Sequence, residues 1–278
     1  MSDQCPNCRR EIDLHERFCP FCTADAKPPN VRFAERTSEA AALAGLEAAA
    51  DSKVAAAGTQ VEQERLVELA RTSELVINRG LRSLAHWVEG EDELYVNFYK
   101  LKERGVRMAN DVFNRQRISA ENTISPTFAD QLVIGALTVD GRGMDYYGGY
   151  SVLVREEAIR TRATVFWENP FEFNKRMKIV SGQDPPEGYR AVWGERHRLA
   201  SAKLSERLTK GADDGDLAKL MMGPDRSARD CDFIEVHVWQ DIHADAIRAV
   251  VPPDTIAEAD RSEWEHLREK LVKKGAVC

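Results

Sequence analysis

With 278 residues, 43% hydrophobic and 31% charged, the chain has the profile of a globular protein long enough to bury a sizeable core. Its formal net charge of −7 argues against a general electrostatic grip on DNA or RNA, which needs a basic surface. No apolar run approaches the roughly 18 residues of a membrane span, so no membrane partner is expected.

The first element is CPNCRREIDLHERFCPFC, residues 5–22. Cys5, Cys8, Cys19 and Cys22 form two CxxC pairs that can present four thiolates to one tetrahedral ion. Proline after each leading cysteine fixes φ in a turn that folds both sulfurs toward one point. Two disulfides or a redox CxxC compete with this reading. Both are disfavoured, because no leader or hydrophobic span precedes the motif, which predicts a reducing, cytoplasmic setting, and no βαβ pattern surrounds it. Zn(2+) is therefore the expected ligand, and it is structural because four cysteines leave no open coordination position. His15 lies in a charged hairpin and is expected to face solvent. The segment resembles the short zinc ribbons common at the N-termini of bacterial proteins. That resemblance covers residues 4–23 and implies a protein or nucleic-acid partner bound through the ribbon.

The composition divides the chain into a ribbon (1–26), a linker (27–60) and one body (61–278). The linker is rich in alanine and poor in large apolar residues, which predicts a flexible tether. Next, Leu66, Leu69, Ala70, Val76, Ile77, Leu81, Leu84, Trp87 and Val88 fall on a 3.6-residue stripe that predicts one long helix. Gly80 within it suggests a close helix contact. ELYVNFYKL, 93–101, alternates as a half-buried strand should. Helical patterns follow near 102–116 and 127–138, giving a helical stretch over 61–138 that overlaps a strand-rich core over 93–252. The loop 140–149 holds four glycines and two tyrosines but lacks a phosphate-cradling spacing.

The second half is richer in strands: YSVLVRE (150–156), RATVFWEN (162–169) and DFIEVHVWQ (232–240). DAIRAVVP (245–252) is expected to return as the hairpin partner of the last of these. A helix carrying Trp193, Ala200, Leu204 and Leu208 stops at Gly211, and a final helix over 254–274 carries Trp264, Leu267 and Leu271. Early helices and late strands predict an α+β fold with a largely antiparallel sheet and flanking helices. Asp213, Asp214 and Asp216 lack the pattern of an EF-hand and suggest a solvated turn. Cys231 and Cys278 have no metal-pair spacing. No HExxH or GxSxG occurs.

In FIEVHVW, Ile234, Val236 and Val238 make one wholly apolar face, so Glu235 and His237 share the other, framed by Phe233 and Trp239. A carboxylate between aromatics is partly desolvated, a setting in which its pKa rises and it becomes useful for catalysis. The competing reading is an ordinary strand glutamate paired with an arginine.

Three features then occur in order: Tyr147-Gly148-Gly149-Tyr150-Ser151-Val152, Arg162-Ala163-Thr164 leading to Glu168-Asn169, and the late Glu-x-His strand. This order resembles bacterial ADP-ribosyltransferase-like domains over about 95–251. The resemblance implies an NAD-dependent transferase. It makes Glu235 the catalytic group supporting the oxocarbenium-like transition state and His237 its orienting neighbour. Tyr95, Tyr147, Tyr150 and Thr164 would then bind the cofactor. The family's first strand carries an Arg or His that anchors NAD, whereas ELYVNFYKL offers none; His86, Arg104 and Arg107 are the substitutes within reach. Three functions stay open: an enzyme brought to its target by the ribbon, a nucleotide sensor using the same cleft without chemistry, and a non-enzymatic zinc-binding adaptor.

Overall fold

The computed structural model describes residues 2–103, 112–180 and 183–278. A small hairpin of β1 (Ser2–Gln4) and β2 (Glu11–Asp13) opens the chain. The body is built on one seven-stranded sheet that is antiparallel throughout. Its strands are β3 (Glu74–Arg79), β4 (Leu132–Thr138), β5 (Tyr150–Val154), β6 (Ala163–Phe166), β7 (Arg190–Val192), β8 (Glu235–Trp239) and β9 (Ile247–Val251). Their spatial order is β7-β6-β8-β4-β3-β5-β9. Mixed helix and antiparallel sheet make the chain α+β.

The two faces of the sheet have different fates. Leu75, Ile77, Val133, Leu137, Val152, Val154, Val165, Val236 and Val238 pack into the main core. That core is closed by α2 (Thr37–Ala57), α3 (Gln60–Thr72), α4 (Leu81–Glu89), α8 (Arg196–Leu204), α9 (Asp214–Met221) and α10 (Glu258–Lys273). The opposite face carries Val76, Ala136, Leu132, Phe166, Glu235 and His237. It is covered piecewise by α1 (Pro29–Ala34), α6 (Val112–Ile124), α7 (Pro170–Met177), the 140–149 loop and the N-terminal hairpin. α5 (Phe98–Glu103) lies beside them.

Several expectations are corrected. Residues 27–60 were expected to be a tether, yet they form α1 and α2. Alanine is the best helix former, and Leu43, Ala50 and Val54, spaced seven and four apart, bury one side of α2 beneath the sheet. α2 ends at Gly58, whose φ of 69° is the left-handed C-cap conformation. The single long helix over 61–88 is interrupted by β3. Leu75-Val76-Ile77 is an apolar run covered on both faces, and a strand buried on both faces shows no alternation to separate it from a helix. Gly80 makes no close helix contact, since a Cβ there would meet nothing within 4 Å; it is the N-cap residue of α4.

Residues 93–101 are not a strand. Leu94 makes one isolated bridge to His243, and Asn97 accepts a 3.0 Å bond from the Lys100 amide in the first turn of α5. The helical pattern at 127–138 resolves into a single 3-10 turn at Ala129–Gln131 followed by β4, again apolar on both faces. The pattern at 102–116 lies partly outside the described residues, as do Arg104 and Arg107. β9 does not pair with β8: it takes the far edge beside β5, with three strands between. Asp213, Asp214 and Asp216 are exposed, as a solvated turn requires, and the segment is the start of α9, which Asp213 caps in a reciprocal box with Asp216.

Candidate functional site

A cavity of about 830 Å³ opens on the second face of the sheet. Its floor is laid by Val76 and Asn78 of β3, Leu132, Ile134 and Ala136 of β4, and Glu235 of β8. The walls come from Arg79, α4, the Tyr95–Leu101 segment, α6 and Tyr147. The apolar face of β8 drives its other face toward this cavity, as alternation requires.

Glu235 is the most unusual group on that floor. Its side chain is 4% exposed, and its Oε2 lies 2.8 Å from His237 Nε2. Burial pushes the carboxyl above its ordinary value, while the bond to His237 and the Arg117 charge pull the other way. His237 is held in turn: its ring stacks on Phe166 at 5.8 Å, and its backbone carbonyl accepts a 3.1 Å bond from Asn30.

Above this pair sits a second charged group. Arg117 Nε meets Glu121 Oε1 at 2.5 Å, and Tyr99 donates its hydroxyl to Glu121 Oε2 at 2.7 Å. Burial, followed by the Glu121 charge, raises the Tyr99 hydroxyl far above its usual range. Tyr147 keeps an exposed edge, while partial burial and then the Glu235 charge push its hydroxyl up to about 12.

Arg79 ends β3 at the cavity edge. Its guanidinium lies 4.5 Å from the centre of the Tyr95 ring, and one nitrogen donates to the Asn78 carbonyl at 2.8 Å. The neighbouring loop is fixed by Gly148, whose φ is 140°; a Cβ there would come within 2.1 Å of the Arg79 carbonyl carbon. Asn78 donates to the Gly148 carbonyl at 3.0 Å and so ties the Tyr147 turn to the cavity floor.

Of the residues singled out from sequence, Glu235, Tyr95 and Tyr147 line the cavity and His237 is bonded to Glu235. His86 also lines it. Thr164 is buried beside His237 and accepts a 3.3 Å bond from Asn30, outside the cavity lining. Tyr150 is not brought to the site. It begins β5 on the opposite face, where it packs 5.0 Å from Trp264. Arg79, Arg117, Glu121 and Tyr99 are additions by the structure; the Asn78-Arg79 end of β3 lies inside the stretch whose periodicity predicts one long helix.

The cysteines form a second site. Cys5 and Cys22 Sγ lie 3.6 Å apart, as do those of Cys8 and Cys19, and all four fall within 4.8 Å of one another. A tetrahedron with sulfurs about 2.3 Å from zinc has edges of about 3.8 Å, so the arrangement fits that ion. The Asn7 amide and the Cys8 backbone N–H each donate to a sulfur at 3.5 Å, which favours thiolate over thiol.

The cavity thus joins a dry carboxylate, an oriented imidazole, aromatic walls and arginines. This set can bind an anionic ligand with a planar ring and stabilise positive charge beside Glu235. No protein-family model matches the chain, so none supports the resemblance to ADP-ribosyltransferase-like domains. No curated protein matches it either. Among the described residues, no helix is long and apolar enough to cross a membrane.

Proposed function

We propose that the cavity is the NAD site of an ADP-ribosyltransferase-like enzyme and that the four cysteines hold a structural zinc. The observation that carries the reading is Glu235: a buried carboxylate, oriented by His237, on the floor of an aromatic cavity. As the bond between nicotinamide and ribose C1′ breaks, nicotinamide leaves with the electron pair and positive charge develops on the ribose. A fixed carboxylate stabilises that charge more than it stabilises bound NAD, which is the requirement for catalysis. The acceptor then adds to C1′ and gives up a proton.

The anchoring arginine missing from 93–101 has a counterpart in Arg79. The resemblance asks for Arg or His on the first strand, and β3, the first strand of the sheet in chain order, ends in Arg79 at the cavity edge. A guanidinium matches a diphosphate better than any other side chain. Tyr95 and Tyr147 supply ring faces for the nicotinamide; Tyr150, packed on Trp264, has no part in this reading.

Incubation with NAD tests the proposal by separating three outcomes. Nicotinamide release supports the transferase. Stabilisation by NAD without release would make the chain a sensor, and neither response would leave a zinc-binding adaptor.

A further inference from the structure

The cysteine hairpin is joined to the candidate site by packing. Leu14, just beyond β2, is 1% exposed, and it is buried among Phe33, Phe128, Leu132 and Trp239 of the body. Phe128 stands between the other rings, 6.0 Å from Phe33 and 6.2 Å from Trp239. Leu132 belongs both to this cluster and to the cavity floor, and Trp239 ends β8, the strand that carries Glu235 and His237.

Polar contacts run in parallel. Arg32 of α1 is buried, and its guanidinium donates to the carbonyls of Leu14 at 2.9 Å, Glu16 at 2.6 Å and Lys27 at 2.8 Å. It also pairs with Asp3 at 3.2 Å. Two residues earlier, Asn30 donates to the carbonyls of Arg162 at 3.0 Å and His237 at 3.1 Å and to the Thr164 hydroxyl at 3.3 Å. α1 is therefore clamped to the hairpin on one side and to β6 and β8 on the other.

We propose that the cysteine hairpin is a positioning element of the candidate site: when its metal is bound, Leu14 and Arg32 hold α1 and the Phe128–Trp239 cluster against β8, fixing Glu235 and His237. The hairpin encloses little core of its own beyond Ile12, Ala26 and the cysteines. Its shape depends on the metal, because segments this small lack the buried area to fold unaided. A metal-free hairpin withdraws Leu14 and loosens the strand that carries the carboxylate. This inference concerns the cavity's geometry and holds whether or not the ligand is NAD.

The test is amide hydrogen exchange on the full zinc-loaded chain, before and after chelation, and on Leu14→Ser and Leu14→Met. Chelation and Leu14→Ser should each speed exchange about tenfold or more in 29–34, 162–166 and 235–239, with less than about twofold change in 150–154 and 247–251 at the far edge. Leu14→Ser should keep about one zinc per chain, because its four cysteines remain, and Leu14→Met should protect β8 like the wild type. Faster exchange confined to 2–26 would overturn the proposal and make the hairpin an independent module. An equal rise in every strand would also overturn it, because the hairpin would then add only to global stability.

Discussion

Glu235 has opposite demands placed on it by folding and by the proposed chemistry. Burial raises its carboxyl above the unfolded value of about 4.3, so the folded state favours the protonated form. That contribution to stability is complete below the unfolded value and is lost as pH rises through the raised folded value. Glu235→Gln, which cannot ionise, should therefore melt above wild type at pH 7–8, and the gap should close toward pH 4; thermal melts across that range check this. Activity should run the other way, because only the carboxylate stabilises positive charge: wild-type turnover should fall as pH drops through the raised pKa. Arg79→Gln removes a charge-assisted anchor worth about 1.5–3 kcal/mol, which should weaken NAD binding by roughly ten- to a hundred-fold, read by titration calorimetry, with the melting temperature little changed.

At the scale of elements, α2 separates a tether from a structural helix. Leu43 is 1% exposed within the main core, so Leu43→Ala should cost about 2–5 kcal/mol in denaturant unfolding. Limited proteolysis should accordingly spare 37–57. The alanine-rich sequence concealed this because only a few large residues pin the helix, and the alanines between them allow its close approach to α8. β8 was legible because one face is Ile and Val and the other carries charge, so alternation showed directly. β3 and β4 were not: covered on both faces, they show continuous apolar runs that fit a helical stripe equally well. With β3 went Arg79, whose position at the end of a strand gives it meaning. β9 was visible as a strand, but its pairing with β5 is a long-range choice that no local pattern records.

For the whole molecule, the sheet divides labour between its faces. One is a continuous core under the helices; the other is split among the cysteine hairpin, α1 and the cavity. The cysteine spacing alone announced the four-cysteine cluster, whereas its docking through Leu14 depends largely on Phe128, Leu132 and Trp239, each more than 100 positions away in the chain. Metal analysis should find about one zinc per chain in protein purified under reducing conditions, and Cys19→Ser should lose it. In the proposed chemistry Glu235 acts through its charge within this cavity. That role is tested most directly by measuring nicotinamide release from NAD by wild type and by Glu235→Gln, with both shown to be folded. Wild type should release measurable nicotinamide, and the variant should lose about a hundred-fold or more of that rate. Equal release by the two proteins, or no release by either, would contradict it.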